Sequence, residues 1–281
     1  MNNFYTISAT MLLSIFLLSG CAWLEEQENS DPNQTKSVIT SEWIVEKMKK
    51  ASDPEGIYAK CTSYIIKQKL TVEGDYKERT IEVKFKAPNL MKTVTIQKGK
   101  PYRATIYNGT EAWQIYDEAS TRITGNSFDF MQLFTELGNP SKSLFDIFDK
   151  VEVYETRENS KDYYKLICTP KNENLKPCKI LVDKNSFLTY KIETQIYTQN
   201  GSYSYASVID KYEKLNGIMV GAKTTVLVNG TKESNYDLLQ YELNPEIPDS
   251  EFTLPVPWYT KEEHKVEPKG PADTAKPEQK K

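Results

Sequence analysis

Alternating apolar and polar positions dominate the chain after residue 58 and predict a long antiparallel β meander. The pattern is clearest between Ile81 and Tyr116, where apolar residues recur at every second position in successive short segments. A period of two is typical of a strand with one buried face. Asn-Gly pairs at 108–109, 200–201 and 229–230 favour tight hairpins, because both residue types tolerate positive φ. We expect roughly ten or eleven strands, mostly joined as sequential hairpins rather than as βαβ units.

Three segments replace this period with helical spacing. Thr40-Ser41 precedes an amphipathic stretch, in which Ile44, Val45 and Met48 share one face, and residues 53–56 end it. Two short helices rich in Phe, Leu and Met are predicted over about 128–137 and 144–148. Their aromatic surface exceeds what a solvent-facing helix needs. They either cover an apolar cavity as a lid or fill the concave side of the sheet as core, and the sequence leaves both alternatives open.

The N-terminal 20 residues are typical of a secretion signal. Residues 11–18 form an apolar run that is too short for a permanent membrane-spanning helix. The following Leu18-Ser19-Gly20-Cys21 resembles the lipobox of bacterial lipoproteins, although residues 1–10 carry no Lys or Arg. The resemblance implies that Cys21 is acylated and anchors the mature chain to a membrane. An ordinary signal peptide, or a buried helix with a chance cysteine, is the alternative.

The same resemblance gives an expected location and an expected division of the chain. Ala22 after the acylated cysteine favours the periplasmic face of the outer membrane over retention at the inner membrane. Residues 21–37 are acidic and rich in Asn and Gln, which predicts a flexible tether. The folded domain is expected over 38–258, and the Lys/Glu/Pro-rich residues 259–281 are expected to be a disordered tail.

Composition argues against several classes of function. His264 is the single histidine and lies in the charged tail, which excludes Ser-His-Asp and Cys-His catalysis and most histidine-ligated metal sites. The net charge is −3 and arginines are few, so we expect neither nucleic acid as a partner nor multidentate phosphate recognition. Asp146 and Asp149 are spaced as the solvated face of a helix rather than as a catalytic pair. We therefore expect no enzyme, metal or cofactor, and a monomer.

Two cysteines flank the polar loop 170–177. A hairpin over this loop would place Cys168 and Cys178 opposite each other, and a disulfide between them would suit an oxidising periplasm. Two free thiols are the alternative. Cys61 is left over in either case.

The segments 85–91 and 108–117 together resemble the periplasmic lipoprotein carriers LolA and LolB and their relatives, including the LppX type and the sensor domain of RseB. The shared pattern is a strand ending at Pro88, a turn at Asn108-Gly109, and Trp and Tyr in the next strand. The resemblance covers most of residues 38–258. It implies an α+β fold in which a leading helix precedes an incomplete antiparallel β-barrel, and further helices cover the open concave side. Residues 243–255 resemble the closing segment of these carriers.

The resemblance implies an apolar cavity that binds acyl chains of lipids or lipoproteins, in lipoprotein sorting or in lipid transport to the outer membrane. A sensor of lipid or peptide, like RseB, is the alternative. Ala87 stands where the soluble carrier has an arginine, which argues against its open-and-close cycle and favours a tethered acceptor. The candidate lining residues, each of which could equally be sealed core, are Val83, Phe85, Val94, Ile96, Ile106, Trp113, Ile115, Phe130, Phe134, Phe145 and Phe148.

Overall fold

A single antiparallel sheet of 14 strands runs through the described part of the chain. The computed structural model describes residues 34–116, 119–198 and 201–254. The predicted secretion signal, Cys21 and the charged tail lie outside these residues. The strands are β1 Thr35–Lys36, β2 Ser63–Val72, β3 Asp75–Lys86, β4 Leu90–Gln97, β5 Lys100–Tyr107, β6 Ala112–Tyr116, β7 Ala119–Ile123, β8 Phe148–Glu158, β9 Lys161–Pro170, β10 Cys178–Asp183, β11 Thr189–Thr198, β12 Gly201–Leu215, β13 Ile218–Val228 and β14 Thr231–Leu243.

The sheet consists of two runs of hairpins that meet in the middle. The order across the sheet is β1-β8-β9-β10-β11-β12-β13-β14-β2-β3-β4-β5-β6-β7, and β14 pairs with β2 where the two runs join. The two edges, β1 and β7, do not pair with each other, so the barrel stays incomplete. The predicted α+β half-barrel is confirmed. The predicted strand number was too low, because β1 has only two residues and the exposed edge strand β7 lacks an alternating apolar pattern.

The turns follow the chemistry of their residues. Asn229 and Gly230, both with positive φ, connect β13 and β14. At the β5–β6 turn, the Asn108 side-chain oxygen accepts hydrogen bonds from the backbone N–H groups of Thr110 and Glu111. These bonds satisfy backbone donors that the strand ladder leaves unpaired.

Three helices lie between the strands: α1 Ser41–Ser52, α2 Asn126–Leu137 and α3 Leu144–Ile147. Helix α1 begins as predicted, because the Thr40 hydroxyl accepts a hydrogen bond from the Trp43 N–H at 3.3 Å. Its Ile44 is fully buried against the concave face of the sheet. Two short 3₁₀ turns, Tyr58–Lys60 and Asp249–Phe252, complete the regular structure.

Helix α2 is core rather than lid. Most of its inner side chains are buried, and they belong to the same hydrophobic cluster as the concave faces of β2–β5. Its Thr135 hydroxyl lies 3.8 Å from the Met91 sulfur of β4. The concave side of this half of the sheet is therefore filled by the helix.

The face of β3–β6 that points away from the helices is also covered. Residues 245–252, which we call the C-terminal strap, place Ile247 and Phe252 on Ile106 in a second, smaller apolar cluster. Glu251 of the strap forms ion pairs with Lys92 at 2.7 Å and with Lys84 at 3.2 Å. Both faces of these strands consequently bury apolar side chains.

The predicted hairpin over residues 170–177 is confirmed, but the predicted disulfide is wrong. Cys178 lies directly opposite Cys168 in the register of β9 and β10, yet Cys168 is a free thiol. The Cys168 side chain is fully buried, and this burial strongly raises the pKa of its thiol. Disulfide exchange needs the thiolate, which such a site disfavours. The side chain packs as a small apolar group instead. Cys61 is likewise a buried free thiol.

Candidate functional site

An apolar cavity of about 350 Å³ lies on the concave side of the second run of strands, under α1 and α3. Helix α1 contributes Val45 and Met48 to its wall. Ile180, Ile192 and Ile209 of β10, β11 and β12 form its floor. The volume falls within the range of small-molecule sites in proteins.

The cavity exists because the two helical covers differ in length. Helix α2 has 12 residues and fills the space over β4 and β5, whereas α3 has only four residues. From α3, Leu144 and Ile147 reach the cavity wall. Four residues cannot cover the width of β10–β13, so space remains between the sheet and the helices. The alternatives left open by the sequence are thus divided: α2 is core, and α3 lines a cavity.

Two carboxylates at the cavity wall have protein partners. The Asp53 carboxylate accepts hydrogen bonds from the backbone N–H groups of Ile57 and Tyr58, both at 2.8 Å. The Asp146 carboxylate accepts one from the Ser143 N–H at 2.7 Å, and this hydrogen bond lowers the pKa of Asp146. Both carboxylates are therefore held by the protein's own backbone, and the wall also includes the Lys49 side chain.

Tyr58 and Tyr212 add phenol rings to the wall. The Tyr212 hydroxyl donates to the Thr189 carbonyl oxygen at 2.7 Å. Burial raises the pKa of both phenols above its usual value, so both rings stay neutral in the accessible pH range. Neutral, immobilised rings of this kind extend the apolar surface of the cavity.

An aromatic pair lies at the rim of the cavity. Phe187, in the turn between β10 and β11, lines the cavity, and Trp43 of α1 packs edge-on against it with ring centroids 5.5 Å apart. The Lys47 ammonium lies 5.2 Å from the Trp43 ring centroid and 5.9 Å from that of Phe187. Edge-on aromatic pairs contribute about 0.5–1.5 kcal/mol and exposed cation–π contacts about 0.5–1 kcal/mol. This contact between α1 and the sheet is therefore weak enough to open.

The eleven residues predicted to line a cavity lie elsewhere. Five are packed in the main core, which is the alternative that the sequence left open: Val83, Phe85, Phe130, Phe134 and Phe148. Phe145 points away from the core and is 39 % exposed. None of the eleven is among the described residues around this cavity.

The remaining five lie on the face of the sheet that points away from the helices: Val94, Ile96, Ile106, Trp113 and Ile115. In the β3–β4 hairpin Val83 pairs with Thr93, so Thr93 and not Val94 shares its concave face. Ile106 and Trp113 pair with each other on the opposite face, under the C-terminal strap. Because side chains alternate along a strand, a shift of one residue moves the whole apolar set to the other side.

Sequence reasoning missed the residues that do form the floor. Ile180, Ile192 and Ile209 each sit in an alternating segment, so their inward direction was readable from the sequence. Ile180 and Ile192 pair across β10 and β11, and Ile209 pairs with Thr224 on β13. Local sequence patterns do not show which part of the concave face the helices leave uncovered.

Known proteins resemble this chain in fold, and the similarity is not detected at the level of sequence. No protein-family model matches the sequence, and no curated protein matches it significantly. Among solved structures, a LolA superfamily protein from Nitrosomonas europaea aligns with a TM-score of 0.52 and 16% identity, over 77% of this chain and 99% of that one. The chain has a LolA-like fold. A DUF1329 family protein from Desulfovibrio piger is similar as well, with a TM-score of 0.50 and 14% identity over 75% of this chain and 96% of that one.

The LolA-like fold accounts for the position of the cavity. In this chain the leading helix α1 and the short helix α3 lie over the concave side of an unclosed sheet, and the space between them is the site. Among the described residues, no helix has the length and apolar character needed to cross a membrane. The described residues also contain no cluster of three or more potential metal-binding side chains.

Proposed function

We propose that this chain is a membrane-anchored, non-enzymatic lipoprotein that holds acyl chains of lipids or lipoproteins in its concave cavity. In this proposal it works at the periplasmic face of a bacterial membrane, in lipoprotein sorting or in lipid transport to the outer membrane. The observation that carries the proposal is the apolar cavity of about 350 Å³ between α1, α3 and β10–β13. The LolA-like fold supports it.

The energetics of burial support a binding role without a covalent step. Burying one CH₂ group is worth about 0.8 kcal/mol, so a chain of about 14 carbons gains roughly 11 kcal/mol. Association costs about 4–15 kcal/mol, part of which the preformed cavity avoids. The balance corresponds to a reversible complex, as a protein that receives and releases lipid requires.

The role proposed for Cys21 is attachment rather than binding of cargo. Two or three acyl chains on this residue would hold the protein stably at a membrane, whereas a single chain would not. The part of the predicted tether that precedes β1 would then separate the anchor from the cavity, because Thr35 and Lys36 already pair with β8.

Binding is tested on the full chain carrying Cys21→Ser, which removes the acylated thiol. We expect lipid in organic extracts of the protein purified from cells, by mass spectrometry, and saturable uptake of a fluorescent fatty acid. Met48→Trp places a large ring into the cavity and should weaken uptake at least about tenfold. Val94→Trp adds the same ring on the opposite face of the sheet and is the matched control. Empty extracts together with no uptake by the parent protein would refute the proposal.

Anchoring is tested separately by cell fractionation. The native chain should sediment with membranes, and Cys21→Ser should be recovered from the periplasm. A membrane fraction that is unchanged by the substitution would show that something other than acylation retains the protein.

A further inference from the structure

The size of the cavity limits how many chains it can hold. An engineered apolar cavity of about 150 Å³ accommodates benzene, which corresponds to roughly 25 Å³ per carbon atom. On this scale, a cavity of about 350 Å³ has room for about 14 carbons. That is one acyl chain, whereas a diacylglycerol group carries two acyl chains and a bacterial lipoprotein carries two or three.

The wall of this cavity contains a strained residue. Phe187 has a φ of 57°, in the left-handed region, and is the only aromatic residue of the described chain with positive φ. A bulky side chain rarely adopts this conformation. Backbone strain of this kind persists where the surroundings over-determine it, and it concentrates at ligand clamps and switch regions.

The turn that holds Phe187 is tied together by its own polar groups. The Asp183 carboxylate accepts hydrogen bonds from the Asn185 N–H at 3.0 Å, the Ser186 N–H at 2.8 Å and the Ser186 hydroxyl at 3.0 Å. The Phe187 N–H donates to the Asp183 carbonyl oxygen at 2.8 Å. This network fixes the backbone, so the ring is held against α1 in spite of the strain.

The Phe187 ring lies at the rim of the cavity. Its inner side lines the cavity, and its partner Trp43, on the outer side, is 42 % exposed. Phe187 also stacks on Tyr164 of β9, with centroids 6.2 Å apart. On the α1 side, Trp43 and Lys47 hold the ring by noncovalent contacts at 5.5 Å and 5.9 Å. Separating these contacts would widen the access to the cavity beside α1.

We infer that the cavity binds a single-chain amphiphile, such as a fatty acid or a lysolipid, and that Trp43 and Phe187 form the entrance through which its chain passes. This inference rests on the proposed function. The strained turn presents a fixed ring, and the movable partner is the Trp43 side chain, which is 42 % exposed. A chain enters when Trp43 leaves Phe187, and the pair closes behind it.

The number of chains is tested by titrating the full chain carrying Cys21→Ser with 11-dansylaminoundecanoic acid and with a dansyl-labelled diacyl phosphatidylethanolamine. We expect one fatty acid per protein, and binding of the diacyl lipid at least about tenfold weaker, because only part of it can be buried. Two fatty acids per protein, or equal affinity for the diacyl lipid, would overturn the single-chain assignment. No binding of either probe would instead refute the proposed function.

The entrance is tested by stopped-flow association and dissociation of the same fatty-acid probe. Phe187→Gly removes the ring and suits the positive φ, whereas Phe187→Ala removes the ring but keeps the strain. Trp43→Ala removes the outer partner from an exposed helix position and leaves the turn intact. All three should speed probe entry and exit by about tenfold, since each removes the contact that closes the pair.

A matched control exists at the far edge of the sheet. Tyr102 and Tyr116 form a similar edge-on pair, with centroids 5.2 Å apart, remote from the cavity. Tyr102→Ala should leave both rates within about twofold of the parent. Thermal unfolding checks that each variant is folded. If the Phe187 variants are unfolded, the probe rates of Trp43→Ala alone test the entrance. If Trp43→Ala binds one probe per protein with the same rates as the parent, the assignment of the entrance is refuted and the single-chain assignment stands.

Discussion

Asp53 connects α1 to the cavity wall, and replacing it is the sharpest test of the energetics. The residue directly follows α1 and is only 4 % exposed. Both of its carboxylate oxygens are used, one by the Ile57 N–H and the other by the Tyr58 N–H, each at 2.8 Å. Asp53 therefore fixes the backbone that carries Tyr58 into the cavity wall.

The cost of losing this carboxylate follows from its two bonds. A hydrogen bond to a charged group contributes about 1.5–3 kcal/mol, and a donor left without a partner adds to the loss. Ile57 and Tyr58 are half-buried, so water can partly replace the acceptor. We expect Asp53→Ala to lower the free energy of unfolding by about 3–4 kcal/mol, and Asp53→Asn by about half as much because it retains one acceptor oxygen. For a domain of this size, that loss corresponds to a decrease in Tm of about 10 °C.

The measurement is equilibrium urea denaturation followed by circular dichroism, with Cm and m fitted for each variant. Glu46→Ala on the same helix is the control, because its ion pair with Lys50 is exposed and contributes less than about 1 kcal/mol. Fluorescent fatty-acid affinity should fall in Asp53→Ala and stay unchanged in Glu46→Ala. The reasoning fails if Asp53→Ala is no less stable than Glu46→Ala, or if Asp53→Asn costs as much as Asp53→Ala.

Three further substitutions probe the strap and the charges. Phe252→Ala should cost about 3–4 kcal/mol in urea denaturation by emptying the smaller apolar cluster, with a loss below 1 kcal/mol contradicting the strap's role in stability. Hydrogen bonds from Lys92, with a further one from Lys84, lower the pKa of Glu251, so its stabilisation is present above the ordinary carboxyl pKa of 4.5 and is lost as pH falls through the lower folded value. The Tm of Glu251→Gln should therefore decrease less at acid pH than the Tm of the parent. An equal decrease in both proteins would show that the ion pairs of Glu251 do not contribute to stability. Burial raises the pKa of Glu233, so the folded protein loses stability as the pH rises from the ordinary pKa of this carboxyl to its raised pKa. Glu233→Gln should therefore raise Tm at about pH 7 more than at about pH 4.

The hairpin architecture could be predicted because its causes are local. Asn-Gly turns, period-two alternation and the capping of α1 by Thr40 are each decided within a few residues. The described residues have the turns at 108–109 and 229–230 and the cap of α1 where expected, and the turn at 200–201 lies partly outside them. The half-barrel itself came from the resemblance to carriers, since alternation does not say whether a sheet closes.

The assignment of faces could not be predicted, because both faces of β3–β6 are partly covered. Val94 and Ile96 are more apolar than Thr93 and Thr95, so hydrophobicity alone predicts that Val94 and Ile96 face the concave side. In the structure Thr93 and Thr95 face that side. The C-terminal strap, about 140 positions away along the chain, makes the opposite face apolar. The site depends in the same way on the length of α3 and on the packing of α1 over distant strands.

The junction of β2 and β14 has a consequence for how the protein folds. It pairs Leu70 with Tyr236, which are 166 positions apart, whereas most other neighbouring strands are joined by short turns. Long-range pairing carries the larger loop-closure entropy, so the two hairpin arrays form first and dock last. The cavity combines α1, which precedes the first array, with strands of the second. The cavity therefore forms only in the final docking step, and chains arrested before it lack the proposed binding site.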